Sequence, residues 1–166
     1  MISLSWDLFI ILCFAIATVY GFISQKDRLT VILFASYAGI VVTNIWGEYV
    51  YNIVAGRGQL LGNFAANASV FTISAALYVF IIMLMAVRSG LAAEKPRESA
   101  FSFTVMGILG FFTAGLILSS IISFMPEGMR ENLITTSRLA AQIWKYHTLW
   151  TIFPVAILVF KSIVRR

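Results

Sequence analysis

The sequence predicts an all-α, polytopic membrane bundle, and three observations carry that expectation. First, 60% of the 166 residues are hydrophobic and 11% are charged, with a mean hydropathy of +0.92. A soluble domain of this length has too little interior to hide so much apolar surface. Second, the apolar residues gather into stretches long enough, at about 1.5 Å of helix rise per residue, to cross a ~30 Å hydrocarbon core. Third, the net charge of +5 is concentrated between those stretches, where basic residues set orientation rather than bind nucleic acid. The length allows one domain, with a four-helix transmembrane core over residues 1–125 and an amphipathic helix plus C-terminal apolar segment over residues 126–166.

The first span, Trp6 to Ser24, opens on Asp7 and lacks the basic leader of a signal peptide, so it reads as a retained helix. The lone Cys13 leaves no intramolecular disulfide to form. Gln25 to Arg28 make a short charged loop. The second span, Thr30 to Val54, carries two rows of side chains. Ala35, Gly39, Thr43 and Gly47 recur every fourth residue, a flat ridge against which another helix can lie closely. Asn44, Glu48 and Asn52 form a polar row about a quarter-turn away.

A glycine-bearing connection from Ala55 to Ala66 leads to the third span, Asn67 to Val87. That span is small at its start (Ser69, Ser74, Ala75, Ala76) and bulky later (Phe80, Ile81, Ile82, Leu84), with the bulky half turned to lipid. Ser89 to Ala100 is the most polar loop. The fourth span, Phe101 to Met125, ends at Pro126 and places Gly110 and Ala114 four apart, a second ridge. Spans two and four are therefore the expected central pair. Glu127 to Lys145 reads as one modest amphipathic helix, with Leu133, Ala140, Ala141 and Trp144 near one face. Leu149 to Val164 is apolar but short, is broken by Pro154, and reads as a fifth tilted crossing or as a re-entrant or interfacial helix.

Orientation follows from the basic residues. With the N-terminus outside, Lys26, Arg28, Arg88, Lys95 and Arg97 fall inside and only Arg57 falls outside before Pro126. Arg130, Arg138 and Lys145 weaken that bias, and Lys161, Arg165 and Arg166 restore it if the last segment crosses. The same topology brings Trp6, Trp46, Trp144 and Trp150 to the outer interface, where amphipathic rings prefer to sit.

Several residues then align with a known family. Asp7 heads the first span, Gly21 comes before the short Lys26/Arg28 loop, and Gly110 and Ala114 keep a four-residue spacing in the fourth span. In these features, over about Trp6 to Met125, the chain resembles the colicin V production protein family of bacterial inner-membrane proteins. It departs from the family at Met106, with Gly107 beside it, and lacks the basic residue and Asp that usually accompany that glycine run. The resemblance implies a multi-pass protein of the bacterial cytoplasmic membrane tied to toxin production or export and envelope physiology. It carries over no catalytic residue.

Glu48, with Asn44 and Asn52, is the leading candidate site. It reads either as an interfacial carboxylate solvated or paired with Arg57 beside Trp46, Tyr49 and Tyr51, or as part of a polar lining. Asp7 reads as an interfacial residue fixing the start of span one. The small-residue ridges, including Cys13/Ala17/Gly21, read as packing surfaces within the bundle or between protomers. His147 has no Cys, Asp or Glu at ligand spacing and reads as an aromatic-belt neighbour, so no metal or cofactor is expected. Gly56, Gly58 and Gly62 lack the context of a phosphate loop, and Asn67-Ala68-Ser69 matches a glycosylation acceptor by chance.

These readings point to a non-enzymatic envelope component that sits in the lipid bilayer and acts by self-association or by binding other membrane proteins. A small oligomeric channel or transporter lined by Asn44, Glu48, Asn52 and Arg57 is the alternative. An enzyme acting on lipid would need Asp7, Glu127 or Glu131 to reach Glu48.

Overall fold

A computed structural model describes residues 6–23, 26–56, 69–88 and 100–164. Those residues form an all-α bundle of seven helices: α1 (Trp6–Ile23), α2 (Lys26–Gly56), α3 (Val70–Arg88), α4 (Ala100–Phe124), α5 (Glu127–Thr136), α6 (Arg138–Lys145) and α7 (His147–Val164). Four of them, α1 to α4, are long and apolar enough to cross a membrane. Parts of the glycine connection (57–68, with Arg57), the polar loop (89–99) and the last two arginines lie outside the described residues.

Local chemistry sets the ends. Lys26, Asp27 and Arg28 fall in the first turn of α2 rather than in a loop, since that stretch has neither Pro nor Gly to stop a helix. At 31 residues, α2 is about 46 Å long and outruns the hydrocarbon core. The start of α3 falls at Val70 rather than Asn67, because the Ser69 hydroxyl accepts a hydrogen bond from the Thr72 amide at 3.1 Å and caps the helix there.

Two further expectations are corrected. The stretch from Glu127 to Lys145 is not one helix but two, joined at Ser137, whose backbone is extended (φ −121°, ψ 120°). Thr135 and Thr136 turn their hydroxyls back onto the Glu131 and Asn132 carbonyls, and a run of Thr-Thr-Ser holds a helix poorly. Conversely, Pro154 does not break the last segment, because α7 runs through it with the ring buried. The missing amide leaves the Trp150 carbonyl without its usual partner. In the same turn the Tyr37 hydroxyl of α2 donates to the Thr151 carbonyl.

The helix pairing also differs from expectation. The most extensive packing is α2 on α3 and α1 on α4, while the α2–α4 contact is a lesser one. Helix α4 is central all the same. It is the most enclosed of the four long helices, and it touches α1, α2, α3, α6 and α7. Two apolar clusters mark its ends. Leu29, Leu33, Met106, Leu109 and Leu116 gather near the start of α2, with Ile157 of α7 packed on them. Ile10 and Ile122 gather at the other end with Leu133, Ala140 and Ile143 of α5 and α6. The bulky half of α3 is exposed at Phe80, Met83 and Leu84.

Candidate functional site

The small-residue rows are filled from within the chain. A Cβ on Gly21 would lie 2.8 Å from the Met106 carbonyl oxygen and 3.1 Å from the Gly110 Cα. A Cβ on Gly110 would lie 2.8 Å from the Ala17 carbonyl oxygen. Helices α1 and α4 thus touch backbone to backbone, with buried Ala114 one turn on. On α2, Ala35, Gly39, Thr43 and Gly47 are all buried. The Tyr78 ring of α3 covers Gly39, and the Ser74 hydroxyl would sit 2.7 Å from a Cβ on Gly47.

That seam encloses polar groups that periodicity alone did not single out. Tyr78 is fully buried, T-stacked on Phe124 at 5.5 Å, with its hydroxyl beside those of Ser36 and Ser120. Both serines donate down their own helices, Ser36 to the Ile32 carbonyl at 2.8 Å and Ser120 to the Leu116 carbonyl at 2.7 Å. The Tyr78 hydroxyl completes no hydrogen bond of its own. The single Tyr of the third span, opposite a glycine row, was the available signal.

Asp7 does more than mark the start of α1. Its Oδ1 accepts from the Ser137 hydroxyl at 2.6 Å and from the Leu139 amide at 3.1 Å. Ser137 in turn caps α6, its Oγ accepting from the Ala140 amide at 3.0 Å. The carboxylate therefore sits at the N-terminus of α6, where amides converge and negative charge is favoured. This clamp ties the head of the first span to the joint between α5 and α6. Around it, the Arg130 guanidinium lies 4.7 Å above the Trp144 ring, and Trp144 stacks on His147 at 5.3 Å.

The polar row of α2 points the other way. Asn44, Glu48 and Asn52 are exposed, on the side turned from α3 and α4. Among the described residues none donates a hydrogen bond to Glu48 or pairs with it. Trp46 and Tyr49 flank it as an edge-to-face pair 5.8 Å apart. Trp150 departs from the expected outer girdle, since its ring lies over Gly115, near the middle of the fourth apolar span, among Phe14, Phe111 and Phe112.

Two cavities open beside α1. One of about 520 Å³ lies between α1, α2 and α4, lined by residues such as Trp6, Cys13, Tyr20, Ile32 and Ile117. The other, about 630 Å³, lies between α1, α4 and α6, where Thr18, Gln142 and Tyr146 add polar atoms to the aromatic wall of Phe14 and Trp150. Among the described residues no group of three or more His, Cys, Asp or Glu side chains converges to hold a metal.

Fold and surface together define a helical protein with four helices fit to span a membrane and a two-helix cap across one end. Comparison with known proteins gives no matching family model, no matching curated protein and no matching solved structure.

Proposed function

We propose that this chain is a non-enzymatic, multi-pass component of a bacterial cytoplasmic membrane that acts by associating with other membrane-spanning helices. The observation that carries the reading is the outward polar row of α2. The apolar span Arg28–Ala55 has its midpoint at residues 41 and 42, so Asn44 lies only about 4 Å from mid-depth. Its side chain is exposed there. Moving an amide from water into alkane with no hydrogen-bond partner costs about 4–8 kcal/mol. Polar side chains in that position are relieved by hydrogen bonds to another helix. The resemblance to colicin V production proteins supplies the setting, the inner membrane and a role in toxin production or export, while the distribution of Lys and Arg supplies an N-terminus outside.

Cross-linking in native membranes tests the reading. It is expected to trap either a homo-oligomer or one defined membrane partner, and a monomeric chain without partners overturns it. The outward row also admits a second reading, a pore lined between copies by Asn44, Glu48, Asn52 and Arg57. Ion flux through liposomes, reduced by Glu48→Gln, is expected for a pore, and absent or unchanged flux removes it.

A further inference from the structure

Among the described residues, the contacts that hold one copy together leave the polar face of α2 uncovered. Val41, Asn44, Ile45, Glu48 and Asn52 are exposed along α2, and their spacing of three and four residues makes a single stripe of the kind that pairs helices. Glu48 lies about 10 Å from the middle of the span, so it and Asn44 both fall inside the hydrocarbon. The small-residue ridge cannot serve the same purpose, because Tyr78 and Ser74 of the same chain already cover Gly39 and Gly47.

Building on the associative reading above, we propose that this stripe is a homotypic interface in which two copies of the chain pair through α2 about a two-fold axis along the bilayer normal. Copies inserted with one topology hold each residue at one depth, so Asn44 meets Asn44 of the second copy. A carboxamide carries donors and an acceptor together and is therefore self-complementary. One turn away, the Asn44 and Asn52 carboxamides of the second copy donate to Glu48. A foreign helix would have to present matching polar groups at two depths, whereas a second copy presents them by symmetry. Val41 and Ile45 pack between the polar positions.

The test uses the full chain in native membranes, with Cys13→Ala as background. Single cysteines from Val41→Cys and Asn44→Cys are expected to give disulfide-linked species of twice the chain mass. Gly39→Cys and Thr43→Cys, which face α3, are expected to give none. In a bilayer dilution series read by fluorescence transfer, Asn44→Leu weakens pairing roughly tenfold. Its exposed position leaves the fold intact, as the helical circular dichroism will report. Glu48→Gln keeps the hydrogen bonds and removes the charge, so it pairs at least as tightly as the native chain. Asn44→Leu pairing as tightly as native overturns the interface. Cross-links at positions 41 and 44 to a species of another mass overturn the second-copy proposal while the associative reading stands. No cross-link together with a monomeric mass in bilayers overturns both.

Discussion

At the scale of single residues, Asp7 joins two parts of the chain that the sequence separates by 130 positions. Its carboxylate holds a serine that is itself holding the first turn of α6, so the three groups act as one unit. Ser137→Ala removes the cap and is expected to destabilise by about 1 kcal/mol, read from the thermal unfolding of the purified chain in detergent. Asp7→Ala also lowers that midpoint, and Asp7→Asn, which keeps an acceptor oxygen, lowers it less. The double variant falls short of the sum of the singles, because either change alone already breaks the unit. Losses that simply add would mean that the two residues act apart. Asp7 at the head of a span was visible in the sequence, but its partner was not. Ser137 carries no signature such as a Glu three residues later, and the contact depends on a helix break that only the packed cap makes favourable.

At the scale of elements, the four long helices were legible because length and hydropathy alone specify a membrane span. Their partners were not. A helix that is apolar all round has no preferred buried face, and a row of small residues says that something comes close without saying what. The α2 ridge meets Tyr78 and Ser74 of α3, and the α4 ridge meets Gly21 of α1. Specific steric predictions follow from which atom stands in the way. Gly47→Ala forces its Cβ onto the Ser74 hydroxyl, which lies 2.7 Å from the ideal position. It is expected to destabilise by about 1–3 kcal/mol, and Ser74→Ala in the same chain is expected to recover most of that loss. Gly21→Ala has no such remedy, because the obstacle 2.8 Å away is the Met106 carbonyl oxygen. Helix α1 must move off α4, so this variant is the more damaging of the two in the same melting experiment. The fully buried Tyr78 adds a contrast. Tyr78→Phe removes a hydroxyl that completes no hydrogen bond and is expected to stay within about 1 kcal/mol of the native chain. Tyr78→Ala empties the space over Gly39 and is expected to destabilise by about 3–5 kcal/mol.

At the scale of the whole molecule, the sequence left open whether the last apolar segment crosses the membrane, and the neighbours of α7 show its direction along α4. Trp150, near its start, lies over Gly115 of α4. One turn on, Phe153 stacks flat on Phe112 at 5.0 Å. Another turn on, Ile157 packs against the cluster of Leu29, Leu33, Met106, Leu109 and Leu116. The ring contacts on α4 move from Gly115 to Phe112 as α7 moves from Trp150 to Phe153, and Ile157 reaches a cluster that includes Leu29 and Met106, so α7 runs antiparallel to α4. Leu29 and Met106 belong to the beginnings of α2 and α4, beside Arg28 and on the side where the polar loop enters. From His147 to Val164 the helix is 18 residues, about 27 Å long, and near its start Trp150 already lies beside the middle of the fourth span. Pro154 does not interrupt α7; the Tyr37 hydroxyl donates to the Thr151 carbonyl beside the freed Trp150 carbonyl rather than to the freed group itself. Four helices are long and apolar enough to cross a membrane, and a fifth crossing by α7, with the C-terminus on the side of the polar loop and opposite Trp6, is the arrangement that labelling tests. With Cys13→Ala as background, a cysteine placed after Arg166 and one at Lys95 are expected to resist a membrane-impermeant maleimide in intact cells and to react after permeabilisation. A cysteine before Trp6 is expected to react at once. Labelling of the C-terminal cysteine from outside, with Lys95 still protected, would mean that α7 turns back within the bilayer rather than crossing it.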